Sequence, residues 1–501
     1  MGVQCRRARA IVPAMNRRTF ILAAATTVSG LSARAGIGGT DRPVEALFKW
    51  LEKSPREHIP RDIVRMIRTG LRYEDMLAAL CLAAVRNVQP YPDVGYKYHS
   101  VMVLRSIHLA TEQLPSADRW LPIAWAADYF KDTQAQERAA SGWRLPTRPI
   151  ASVGNRVVAR RALVTALDNW DRDAADTAIV NYAQAAHPDE VFSMLFGYGA
   201  RDLRAIGHKA ITVSNAHSLV GLLGGVHTTA LLRSTVAALQ NSEGGLNPAR
   251  HNLQPDRPWR ENQRHSREIP RSWKHGRDDA GARRELRGAL YQVSEEAAGT
   301  IVVELLKQGI SPEAIWQVLL NTAAELLMHQ PSIVLLHAQT TANALHYAYR
   351  VCGDEQTQQL MLLQGAAFIA MFRTLVKASQ QDFSLDALQP FPLESTGVDA
   401  IAEIFADASA GQRLRAARKC LGYLQNGGDA NAFIATARRN LIYNAEEPHD
   451  YKFSEAVFDS YSQFGDSAWG SLFLSAGMAY FRGSGRRPGP VVEEMVELLR
   501  A

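Results

Sequence analysis

Apolar residues in this chain recur three or four positions apart over most of its length and alternate almost nowhere. Val44 to Leu51, Asp75 to Val85 and Ser311 to Leu327 all carry that repeat. It lays one apolar stripe along a helix and gives a strand no single face to bury. Gly70 reads as a helix stop, and Asp118, Ser311 and Asp354 read as caps whose side chains accept from first-turn amides. The fold class that follows is all-α, a multi-helix array of orthogonal and antiparallel helices. One hydrophobic core rarely serves more than ~250–300 residues, so a chain of 501 is expected to form two helical lobes.

Two stretches interrupt the pattern. Residues 241–284 are polar and strongly charged, carry several Pro and Gly, and include Trp259, Trp273 and His275. Loops longer than ~15 residues are usually lids or only partly ordered, and this one reads as an insertion of that kind. Residues 380–397, with Pro390 and Pro392, read as the link between the two halves.

Residues 1–35 run in the order charged, apolar, small: Arg6, Arg7 and Arg9, the pair Arg17 and Arg18, the stretch Phe20 to Leu31, then Ala33-Arg34-Ala35. That is the layout of an export signal. Asn16-Arg17-Arg18-Thr19-Phe20-Ile21 resembles the twin-arginine pattern, with Met15 as an alternative start. The implied partner is the twin-arginine export machinery, and the implied location is periplasmic or extracellular. A membrane anchor needs ~20 continuous apolar residues, and this run is shorter and broken by Thr, Ser and Gly.

Removing the signal changes the charge argument. The whole chain holds 56 Lys and Arg against 50 Asp and Glu, and six of those arginines lie in residues 1–35, which carry no acid. The remainder is balanced, and no basic, aromatic-studded stretch marks it for nucleic acid. Cys5 leaves with the signal. Cys81, Cys352 and Cys420 are too few and too far apart for a disulfide framework and read as core residues.

Histidines carry the chemical signal. Three separate predicted helices each hold a pair nine residues apart: His99 and His108, His208 and His217, His337 and His346. At ~3.6 residues per turn, nine residues rotate a helix by about 900°, so the two rings of a pair leave opposite faces. Each helix can therefore give one ring to a shared site. His99, His208 and His337 stand near helix starts among small or apolar neighbours and are the inward candidates, whereas His108, His217 and His346 read as structural. A fourth, His449, opens Pro448-His449-Asp450-Tyr451-Lys452, where three-residue spacing places Lys452 on its face. Four neutral imidazoles suit Fe, Zn, Cu or Ni.

Four short blocks around these residues resemble the questin oxidase-like family, helical oxygenases that cleave anthraquinone rings. They are His99-Ser100-Val101-Met102 followed by Trp125 and Tyr129, Gly207-His208-Lys209-Ala210-Ile211, His337-Ala338-Gln339-Thr340, and His449-Asp450-Tyr451-Lys452. Their order and spacing agree over most of the chain after the signal. Gly207 stands where the family has an aromatic residue, and Thr212 where it often has a second His. The resemblance implies an all-α domain over 36–501, with 241–284 as an addition and a central metal site. The metal would be held by His99, His208, His337, His449 and Lys452, and iron is the expected ion. O2 and an aromatic or quinone-like small molecule would be the partners.

A protonated lysine cannot ligate a cation. Lys452 would serve only as a free amine or after its amine takes up CO2 as a carbamate, and Asp450 is the rival ligand. Tyr98, Trp125, Tyr129, Phe196 and Tyr198 are the expected substrate-pocket residues. Two other readings stand beside this one. The same imidazoles around Zn, with Glu325 or Glu447 as general base, would make a hydrolase. A helical binding or scaffold protein would keep the fold without the chemistry. No Gly-rich loop follows a strand, and neither Gly-x-Ser-x-Gly nor His-Glu-x-x-His occurs, so nicotinamide, flavin and serine-hydrolase chemistry in their usual folds are not expected.

Overall fold

The computed structural model describes residues 42–90, 97–112, 114–116, 118–147, 155–241, 245–376, 384–465, 467–485 and 487–501. The expected export signal, residues 242–244 of the first break and residues 380–383 of the second lie outside them. Twenty-two α-helices and no strand occur among the described residues. One isolated bridge, between Arg277 and Ile310, is the sole β pairing there. No helix among them is long and apolar enough to cross a membrane.

Arg42–Ala501 is a single compact unit, so the expected division into two lobes does not occur. The reason lies in the helix Pro312–His329, which packs against Ile333–Val351 ahead of the second break and against Ala468–Ala476 beyond it. Elements on both sides thus share one core. Ser311 and Asp354 cap their helices as expected, accepting from Ala314 N at 3.1 Å and Thr357 N at 2.7 Å. Asp118 does not cap: the helix Trp120–Ala140 begins beyond it with no side-chain cap. Cys81, Cys352 and Cys420 are free and buried, and burial pushes the Cys81 and Cys420 thiols up to about 12.

The described part of the 241–284 insertion is built into the core and is not a lid over it. Its helix Arg257–His265 buries Asn262, whose amide donates to Gln364 Oε1 at 2.8 Å, and Gln364 in turn donates to Ala200 O at 2.7 Å. Trp273 is 2% exposed and donates its indole N–H to Glu355 Oε1 at 2.8 Å. Burying an amide and an indole is tolerable only because each finds a partner.

The four candidate histidines come from the starts of four helices: His99–Met102, His208–Leu239, Ile333–Val351 and Pro448–Phe464. His99 and His108 do not share a helix, because Val103 separates His99–Met102 from Leu104–Glu112. Buried polar side chains tie these elements together. Asn215 donates to Met102 O at 2.7 Å and Ser214 to Ala344 O at 2.8 Å, joining the His208 helix to its two neighbours. Asp459 on the His449 helix accepts from Arg105 at 3.0 Å, from Asn343 at 2.9 Å and from Arg350 at 3.3 Å.

Burial alone would raise the Asp459 carboxyl, but the charges of Arg105 and Arg350 hold it well below the usual carboxylate range. Its contribution to stability is therefore present above the unfolded carboxylate pKa of ~3.9 and is lost as pH falls toward the depressed folded value. Replacing Asp459 with Asn should remove about 2–4 kcal/mol at neutral pH, because two arginines lose their counter-charge. Urea unfolding of the two proteins at pH 7 and pH 3 checks this, and the gap between them should narrow at the lower pH.

Candidate metal centre

His99, His208, His337 and His449 meet in the core, with one ligand-capable atom from each lying within 4.8 Å of all the others. Nε2 of His99 is 3.1 Å from Nε2 of His449, and Nε2 of His337 is 3.1 Å from Nε2 of His208. The rings pack edge to face or tilted, at centroid separations from 4.5 Å to 5.4 Å.

The second ring nitrogens decide what those contacts are. His208 Nδ1 lies 2.7 Å from Ala205 O and His337 Nδ1 lies 2.6 Å from Ile333 O. A carbonyl only accepts, so both Nδ1 atoms carry the proton. His449 Nδ1 is 3.2 Å from Glu447 Oε2, and the hydrogen bond from His449 holds that carboxyl below its usual range, so it too accepts. Three Nε2 atoms are thereby left with bare lone pairs aimed inward. The 3.1 Å approach of His208 to His337 cannot be a hydrogen bond, since neither nitrogen has a proton to share.

Such an arrangement fits a cation. Two imidazole nitrogens each about 2.1 Å from one ion stand ~3.0 Å apart at right angles and ~4.2 Å apart on opposite sides. Those spans bracket the short contacts, and the widest spread exceeds them by about half an ångström. Burial, and next the nearby Lys452, lower the His99 and His208 rings, His208 to about 3; burial likewise lowers His337 and His449. All four are neutral at neutral pH, which is the ligating form. Four buried histidines can thus hold a metal ion.

Lys452 sits one turn beyond His449, 3% exposed, and its Nζ has no hydrogen-bond partner. Burial lowers it to about 7. Asp450, the rival ligand, is used elsewhere: its Oδ2 accepts from Glu446 N at 2.9 Å, Glu447 N at 3.1 Å and Arg482 at 2.7 Å. Glu325 is likewise committed, accepting from Arg287 at 2.7 Å, from Leu385 N at 2.5 Å and from the Tyr291 hydroxyl. Glu447 faces the outer nitrogen of His449 and accepts from Tyr480 OH at 3.1 Å.

His208 owes its position to an unusual turn. Ile206 has φ 45° and Gly207 φ 83°, so two successive residues are left-handed just ahead of the helix. A Cβ on Gly207 would lie 2.7 Å from Thr341 Cβ, and Thr341 donates to Ile206 O at 3.2 Å. A side chain at 207 is excluded because the His337 helix lies against this turn. Lys209 and Asp202, 1% and 2% exposed, pair at 2.6 Å and pin it from behind.

His217 and His346, which share helices with His208 and His337, stay out of the cluster as the nine-residue geometry predicts, whereas His108 lies on a different helix from His99. His217 bonds Tyr347 OH at 2.8 Å, and His346 packs on Trp316 at 4.9 Å. His108 lies 3.2 Å from Tyr73 OH. The five expected pocket residues fall into separate groups. Trp125 stacks on Tyr129 at 5.4 Å and meets Tyr451 at 4.8 Å. Tyr98 is fully buried, with its hydroxyl 2.7 Å from Ser234 Oγ. Phe196 packs on His217, and Tyr198 donates to Asp168 on the wall of an open cleft of about 630 Å³. None of the four metal-site histidines lines that cleft, whose other wall includes Trp259 and Arg260 of the insertion.

Fold and site together define an all-α protein with a buried four-histidine centre able to hold a metal ion. No family model, curated protein or solved structure matches the chain.

Gly207→Ala should cost at least ~1 kcal/mol from its left-handed backbone alone, and the clash with Thr341 should add to that and loosen metal binding; thermal melts with and without added metal measure both. Acid acts on the site in a set direction. Histidines whose folded pKa lies below the unfolded ~6.5 favour the fold least where the unfolded chain binds more protons. The metal-free protein should therefore lose stability as pH falls from about 6.5 toward the folded value near 3 for His208, and metal should dissociate over the same interval. Chelator-treated protein melted between pH 8 and pH 4 reads the slope, and His208→Ala should flatten it.

Proposed function

We propose that this chain is a metal-dependent oxygenase of the questin oxidase-like type, exported by the twin-arginine route to the periplasm or beyond, acting with O2 on an aromatic or quinone-like small molecule. One observation carries the reading: four neutral imidazoles from positions spread between 99 and 449 converge beside a buried amine that has no partner. Those are the five residues that the family blocks single out.

Iron is the ion proposed, held by His99, His208, His337, His449 and a modified Lys452. Neutral nitrogen donors with one anionic oxygen donor suit iron, which supplies the redox chemistry that O2 activation requires. Lys452 is suited to the modification because its amine is substantially unprotonated near neutral pH. That amine attacks CO2, the Nζ–C bond forms, one proton leaves to solvent, and the product carries a negative charge and oxygen donors. An anion here also offsets the positive ends of the helices that begin at His208 and Pro448. Trp125, Tyr129 and Tyr451 form an aromatic group whose Tyr451 precedes Lys452 in the chain, and an aromatic substrate is proposed to lie against it.

The zinc-hydrolase reading is weaker on the same geometry. Glu325 is committed to Arg287 and Tyr291, and Glu447 to the outer nitrogen of His449, so neither is placed as a general base on a metal-bound water. A scaffold protein would have to bear a buried unpartnered amine, at a cost of about 1–3 kcal/mol or more, with nothing gained.

Elemental analysis of the purified protein tests the proposal. On the order of one iron per chain is expected, lost in His208→Ala and His337→Ala and kept in His108→Ala. Iron-loaded protein should then consume O2 with phenolic substrates. Zinc in place of iron would favour the hydrolase, and no metal above background would sink the metal-dependent reading.

A further inference from the structure

The described ring partners at the centre are of two kinds. His208 and His337 lean on backbone carbonyls, whereas His449 leans on the carboxylate of Glu447. His449 is also the least buried of the four, at 9% exposure against 6%, 6% and 1% for His99, His208 and His337. Glu447 is itself held from several directions. Its Oε1 accepts from Tyr480 OH at 3.1 Å, and its backbone N donates to Asp450 Oδ2 at 3.1 Å. Arg482 donates to that same oxygen at 2.7 Å and to Glu446 at 3.0 Å. Pro448, the first residue of the helix, fixes the backbone between Glu447 and His449.

A carbonyl behind an imidazole fixes its tautomer and little more. A carboxylate draws on the Nδ1 proton, raises electron density at Nε2 and holds the ring plane with a charge-assisted bond. We propose that Glu447 is a positioning residue that makes His449 a stronger donor than His208 and His337, with Tyr480 and the Asp450–Arg482 pair fixing the carboxylate. The centre is then electronically asymmetric, and its affinity and spectrum answer to a side chain that never touches the metal. This rests on the metal-centre reading and goes beyond it by ranking the ligands.

Co2+ is a suitable probe, because its absorption bands report ligand strength and it can be titrated against a competing chelator. The full chain is compared as wild type, Glu447→Gln, Glu447→Asp and Tyr480→Phe, and the metal-free form of each is melted. Glu447→Gln keeps shape and hydrogen bonding while removing charge, and should weaken Co2+ binding about 10–100-fold, shift its absorption bands and leave the metal-free melt nearly unchanged. Glu447→Asp should recover part of both signals, and Tyr480→Phe should move them the same way by less. The inference is overturned if Glu447→Gln matches wild type within about twofold in affinity with an identical spectrum, since outer partners of this kind normally matter more. It is also overturned if the affinity loss is accompanied by an equal loss in the metal-free melt that Asp does not restore. A wild-type chain that binds no Co2+ at all overturns the metal-centre reading itself, which separates the two failures.

Discussion

Three imidazoles that give their Nδ1 protons to oxygen acceptors must present bare Nε2 lone pairs, and here those lone pairs point into one buried cluster. Each unmet acceptor in such a setting costs about 1–3 kcal/mol. The arrangement exists only because the surrounding chain compels it. His208 and His337 are held at 3.1 Å by backbone carbonyls behind each ring, and His449 by a carboxylate. A cation held there would convert that repulsion into coordination.

What compels the rings is a set of buried polar ties among the helices that bear them. Asp459 gathers Arg105, Asn343 and Arg350, while Asn215 and Ser214 reach from the His208 helix to Met102 and Ala344. Hydrophobic packing would bring these helices together without fixing their register, because apolar contact is non-directional. Hydrogen bonds to particular oxygens fix rotation and sliding to within a few tenths of an ångström, which is the tolerance a metal site demands. The left-handed turn at Ile206 and Gly207 belongs to the same system, trading backbone strain for the placement of one ring.

The 241–284 segment shows how composition can mislead. Its polar and charged residues look solvated in the sequence, yet Asn262 and Trp273 are core residues whose polar atoms meet Gln364 and Glu355. A buried polar residue with a distant partner has no local signature. The same limit hid the single core: nothing in the break around Pro390 reveals that Pro312–His329 packs on elements from both sides.

Helical class, the caps at Ser311 and Asp354, and the choice of His208 over His217 and of His337 over His346 were legible in the sequence, because each depends on spacings of a few residues and on the 3.6-residue turn. His449 was picked out by its short block, Pro448-His449-Asp450-Tyr451-Lys452. Tertiary structure alone decided that the four rings meet and which way the protons of His208, His337 and His449 face. It also decided that Glu447 stands behind His449 and that Asp450 and Glu325 are committed elsewhere. The physical reason is range. Periodicity and capping act within one helix, whereas ligand convergence and proton placement depend on backbone carbonyls and side chains brought from hundreds of residues away, such as His99 and His449 with 350 positions between them.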